Sequence, residues 1–122
     1  MTSKEKALKI TGILDSKKAL DIKLIEISDL TIIADYFVIA TGTSSTQVRA
    51  LADEVEFQLK EQGITPTRIE GYSSSSWILV DYSDVVVHVF QKDTREFYSL
   101  ERLWADGKEI TPELLDEIEG KE

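Results

Sequence analysis

His88 is the only histidine in 122 residues and there is no cysteine, so a histidine pair or a thiolate zinc centre lacks its ligands. A nucleophile triad would need Ser73, Ser74, Ser75 or Ser76 to reach His88 from a loop. Between valines, the plainer reading of His88 is a half-buried side chain bonded to a neighbour, or part of a recognition face. Carboxylates at alternate positions, Glu54 with Glu56 and Glu117 with Glu119, fall on helical segments, where residues two apart diverge and cannot share a metal. Asp81 and Asp84 could meet across a hairpin, although aspartates also flank turns for local hydrogen-bonding reasons. Thr41, Gly42, Thr43, Ser44 and Ser45 stand where a strand enters a helix, a place that can hold an anion, but Ser44 and Gln47 account for it as a capping box. No catalytic, cofactor or metal residue is assigned. Trp77 has a different setting: an aromatic anchor that shares a face with Asp81, Asp84 and His88 is how binding hot spots are built.

These residues depend on one stretch, 77–90, which reads as two strands folded back at Tyr82 and Ser83. With a two-residue turn, Asp81 faces Asp84, Leu79 faces Val86 and Trp77 faces His88, because opposed partners in an antiparallel pair share a face. One face then carries Ile78, Val80, Val85, Val87 and Val89, an apolar row that helices must cover. The other carries Trp77, Leu79, Asp81, Asp84, Val86, His88 and Phe90, too apolar for plain surface and too polar for plain core.

Around the hairpin the chain alternates helices and strands. Thr2 to about Leu20 reads as a helix with a Thr2/Glu5 capping box and a stripe of Ala7, Ile10 and Leu14. A β-branched run from Ile22 to Ile27 follows, with interspersed charges that suit a sheet edge. Tyr36 to Thr41 is apolar on both faces and belongs in the middle of the sheet. A second helix, capped by Ser44, buries Val48, Leu51, Ala52, Val55 and Leu59 and ends near Gly63. Pro66 to Glu70 is a short strand, reached through a parallel crossover, and Gly71 to Ser76 is a flexible approach to the hairpin. After Phe90 a helical segment carries Phe97, Leu100, Leu103 and Trp104 to one side. Ala105 to Lys108 reads as a turn, and Thr111-Pro112-Glu113 opens a short acidic helix. The fold class is α/β (α+β), with a mixed sheet of about five strands packed with helices. Residues 1–105 form the domain and 106–122 an acidic tail.

The net charge of −9, from 23 acidic and 14 basic residues, works against non-specific attraction to phosphate backbones and favours a basic partner. No long apolar run is present, so neither a signal peptide nor a membrane span is expected, and the absence of cysteine suits the cytoplasm.

Three blocks, residues 35–45, 77–90 and 95–104 in that order, resemble the ribosomal silencing factor family, also called Iojap-like or RsfS. The resemblance implies a nucleotidyltransferase-like fold without catalytic carboxylates, no enzymatic activity and no cofactor. It implies binding to a basic protein of the large ribosomal subunit, the fourteenth of that series, on the face where the small subunit docks. Joining would then be blocked and translation repressed under nutrient limitation, with no direct nucleic-acid recognition and no membrane. The residues it points to for partner contact are Trp77, Asp81 and Asp84, then His88, Tyr98, Glu101 and Trp104. Two other readings stand beside it: a nucleotide-binding protein of nucleotidyltransferase type, and a homodimer whose mixed face pairs with itself; the chain is expected as monomer or homodimer.

Overall fold

The computed structural model describes residues 1–29, 32–98 and 108–110. Helix α1 (Ser3–Ser16) starts at the predicted Thr2/Glu5 capping box. It stops short of Leu20 because Lys18, at φ 64, closes a Schellman turn: Lys18 N–H donates to Asp15 O and Ala19 N–H to Leu14 O. Helix α2 (Ser45–Glu61) closes the same way at Gly63, φ 78, where glycine makes the signal readable. Its N-cap Ser44 accepts from Gln47 N–H as expected, but the Gln47 side chain turns to Thr43, accepting from both its N–H and its hydroxyl, so the box is only half formed.

The strands are β1 (Leu20–Glu26), β2 (Tyr36–Gly42), β3 (Arg68–Glu70), β4 (Trp77–Asp81), β5 (Val85–Gln91) and β6 (Lys108–Ile110), and helix α3 (Lys92–Tyr98) follows β5. They form one six-stranded mixed sheet in the order β3-β4-β5-β2-β1-β6. Only β2 and β5 pair in parallel, at its centre. The chain crosses from β2 over α2 to β3, which runs in the same direction as β2 with β5 and β4 between them.

Two sequence expectations change here. The strand read as an edge, β1, carries β6 on its outer side, with Leu24 opposite Ile110 and Glu26 opposite Lys108. Its unpaired backbone groups take that partner from beyond residue 105, which also supplies the strand that the expected count of about five lacked. The hairpin, too, turns one residue later than expected. Just past the end of β4, Tyr82 N–H still donates across to Val85 O, and Ser83, at φ 73, takes the left-handed position. Trp77 therefore stands opposite Phe90, Leu79 opposite His88 and Asp81 opposite Val86. Moving a turn by one residue shifts every opposed pair by two, so the strand residues keep their faces while their partners change, and only Asp84, now in the turn, leaves the mixed face. The reason lies in Tyr82, whose ring, 5% exposed, is buried beneath the helices by this register.

Both α1 and α2 lie on one face of the sheet. Ala7, Ile10, Ile13 and Leu14 of α1, and Val48, Leu51, Ala52, Val55 and Leu59 of α2, pack on Val38, Ala40, Ile78, Val80, Val85, Val87 and Val89. This apolar burial is the main stabilising term of the domain. The opposite face carries a second cluster, Ile25, Ile27, Ala34, Phe37, Ile39, Val86 and Phe90, with Trp77 and Leu79 packed at its margin. No helix among the described residues is long and apolar enough to cross a membrane.

Candidate partner-binding face

Strand β4 alternates buried Ile78 and Val80, under the helices, with half-buried Trp77, Leu79 and Asp81 on the other side. The loop before it, expected as a flexible approach, is a tight turn. Gly71, at φ 78, brings its backbone so close to Trp77 that a Cβ built there would lie 2.1 Å from the Trp77 carbonyl oxygen. Ser75, fully buried at φ 58, donates its hydroxyl to Tyr72 O at 2.7 Å and accepts from Arg49 of α2 at 2.8 Å. Gln91 closes the turn from β5, its backbone N–H donating to Ser76 O and its side chain to Ser75 O. The entry to β4 is thus tied to both α2 and β5.

On that footing the Trp77 ring is held from two sides. It stacks on Phe90 at 4.9 Å between centroids, and its Nε1–H donates to His88 Nδ1 at 3.1 Å. The His88 ring also meets Phe37 edge-on at 4.8 Å. His88 lies on the expected face but is only 4% exposed, behind the tryptophan. Burial among apolar rings pushes its pKa down to about 4, against a weaker upward pull from Asp81, so it is neutral near pH 7. With Nδ1 accepting, its proton sits on Nε2, which is buried and has no hydrogen-bond partner among the described residues.

The two aspartates do not meet. Asp81 accepts Ser83 N–H on Oδ1 at 2.7 Å, and its Oδ2 stands 3.2 Å from Arg68 Nε. Asp84, in the turn, pairs with Lys6 of α1 at 2.8 Å. The later turn separates them: Asp81 ends β4 on the mixed face, whereas Asp84 reaches toward the helical side. Among the described residues no group of three or more His, Asp or Glu side chains could hold a metal. Ser75 and His88 each have other partners, so the serine run and the histidine form no hydrogen-bonded couple. Tyr98 ends α3, but its side chain, like Glu101 and Trp104, lies outside the described residues.

Sequence reasoning passed over Arg95. It is 7% exposed, and its guanidinium donates to Asp21 O at 2.6 Å and Thr41 Oγ1 at 2.7 Å. It thereby holds the bulge of β1, where Asp21 has φ 46, against the end of β2. An arginine inside a highly charged sequence gives no local signal of burial; Arg95 stood out only as the first residue of the third family block.

A family model described as ribosomal silencing factor during starvation matches residues 1–122. The chain belongs to the ribosomal silencing factor family. It is 46% identical over 93 residues to the ribosomal silencing factor RsfS of Bacillus subtilis, covering 76% of this chain and 79% of that one. To the factor of the same name from Halalkalibacterium halodurans it is 41% identical over 110 residues, 90% of this chain and 94% of the other. A crystal structure of a Chromobacterium violaceum protein superposes with a TM-score of 0.84 at 39% identity, over 86% of this chain and 88% of that one. In this member of the silencing factor family, two of the three blocks that carry the resemblance lie side by side. Residues 35–45 are β2 and the entry to α2, and residues 77–90 are the β4–β5 hairpin, whose second strand pairs with β2.

Proposed function

We propose that this silencing factor binds a basic protein of the large ribosomal subunit, the fourteenth of its series, through the face that presents Trp77, Leu79 and Asp81. Bound there, it occupies the ground on which the small subunit docks, so joining is blocked by exclusion and translation falls when nutrients are scarce. The observation that carries this reading is Trp77 itself: a half-buried indole, stacked and hydrogen-bonded from behind, beside a half-buried leucine and a carboxylate. Such a rigid aromatic anchor at the margin of an apolar cluster presents a large contact area at little cost in conformational entropy.

The net charge of −9 supports a basic protein over ribosomal RNA as the partner. In this reading Trp77 and Asp81 make contact, His88 acts through Trp77, and Asp84 holds the hairpin tip to α1. The family resemblance adds Tyr98, Glu101 and Trp104 to the proposed contacts. The action takes place in the cytoplasm and involves no reaction and no cofactor.

Sedimentation of the protein with purified 30S and 50S subunits, separately and mixed, tests the proposal. Migration with 50S alone and loss of 70S on mixing is the expected result. A protein that stays at the top of the gradient at low salt, with 70S unaffected, ends it.

A further inference from the structure

We propose that His88 is the positioning residue of the partner-binding face, accepting the indole N–H of Trp77 through Nδ1 and so setting the orientation in which the ring meets its partner. The proposal rests on the reading of Trp77 as the contact anchor. A tryptophan at the start of a strand has several rotamers open to it, and a buried indole N–H needs an acceptor. The hairpin register supplies both restraints. Phe90 stands directly opposite Trp77 and provides the stack, while His88, two pairs further along, is the diagonal neighbour on the same face and within reach of an aromatic side chain.

What singles out histidine is the cost of having it there. Its Nε2–H is buried with no hydrogen-bond partner among the described residues, an unfavourable burial that leucine or valine at the same place would avoid. The neighbours Ile39, Val86 and Phe90 are all apolar, so packing alone would be served as well by an apolar residue. The return for that cost is an acceptor at Nδ1, 3.1 Å from the Trp77 nitrogen. The alternative tautomer, with the proton on Nδ1, would set two donors against each other and release the ring.

The test uses the full chain as wild type, His88→Asn and His88→Leu. Asparagine keeps an acceptor oxygen close to the site of Nδ1; leucine keeps the volume without it. Two readouts are taken: hydrogen exchange of the Trp77 indole N–H by NMR, its signal identified by loss in Trp77→Phe, and affinity for purified 50S subunits. His88→Leu, still folded by circular dichroism, is expected to exchange the indole N–H rapidly and bind about tenfold more weakly. His88→Asn is expected to keep slow exchange and bind within about threefold of wild type.

A folded His88→Leu variant with wild-type protection or wild-type affinity overturns the proposal. Should that variant not fold, long-range nitrogen–proton spectra of wild-type His88 decide, because a proton on Nδ1 overturns it and one on Nε2 upholds it. If the wild type binds no subunit, the functional reading fails, while the indole and tautomer measurements still decide whether His88 orients Trp77.

Discussion

Arg68 on β3 stands directly across the sheet from Asp81 on β4, with its Nε 3.2 Å from Asp81 Oδ2, while Ser83 N–H takes the other carboxylate oxygen. Both oxygens of the acidic group on the proposed contact face are therefore engaged before a partner arrives. A lysine or arginine of a basic partner must displace Arg68 or share Asp81 with it. Arg68 is 60% exposed, so the internal pair is weak and the competition modest. Arg68→Gln is expected to tighten binding to 50S subunits about two- to fivefold at low salt, with no gain when Asp81 is already Asn. A looser complex would mean that Arg68 touches the partner itself.

Trp77→Ala should leave the helical face intact, because the indole packs at the margin of the second cluster and not beneath α1 and α2. The expected loss is 2 kcal/mol or more of binding free energy, roughly thirtyfold, with far-ultraviolet circular dichroism unchanged. Collapse of the spectrum in place of a binding defect would assign Trp77 to the core.

Gly71 and Gly12 predict opposite outcomes for the same substitution. At Gly71 the backbone is left-handed, and a Cβ would strike the Trp77 carbonyl, which sits in the sheet and cannot move away. Gly71→Ala should cost about 2 kcal/mol or more. Gly12 is an exposed position within α1 with nothing within 4 Å of its would-be Cβ, so Gly12→Ala should stabilise by about 0.5–1 kcal/mol. Urea midpoints for the two variants should fall on opposite sides of wild type.

The burial of His88 carries a pH signature. Its pKa is about 4 in the folded protein against 6.5 ordinarily, so the unfolded chain binds the proton more tightly. Stability from this group is complete above pH 6.5 and falls as pH drops toward 4, by about 1.4 kcal/mol per unit and on the order of 3 kcal/mol in all. Protonation also removes the acceptor for the Trp77 indole, so both effects have the same sign. Denaturation of wild type and His88→Asn between pH 7 and pH 4 isolates the contribution, because carboxylates act on both. Parallel curves would show that His88 does not titrate with unfolding.

Lys6 and Asp84 join α1 to the hairpin tip with side chains 13% and 32% exposed. Asp84→Asn should lower stability by about 1 kcal/mol, and Lys6→Met should add little to it, since the two act as a pair. If Asp84 serves the fold and Asp81 the partner, Asp84→Asn should weaken binding to 50S subunits less than Asp81→Asn does. Equal losses would return Asp84 to the contact surface.

The features legible in the sequence were those written within a few residues of one another. The stripe Val48, Leu51, Ala52, Val55 and Leu59 was read from helical spacing, and Thr2 with Glu5 from the distance a cap can span. The division of the hairpin into an apolar row and a Trp77 row followed from alternation alone and survived the change of turn, because parity does not depend on where the turn falls. The rest was decided by residues far apart in the chain. Burial of Tyr82 beneath the helices set the turn and sent Asp81 to Arg68 and Asp84 to Lys6. Pairing with β6 made β1 an interior strand, and Arg95 became buried by reaching Asp21 and Thr41. Local backbone preferences specify which face a side chain takes; which side chain it meets there depends on how the whole sheet registers and what the helices cover, and that is settled only when the chain has packed.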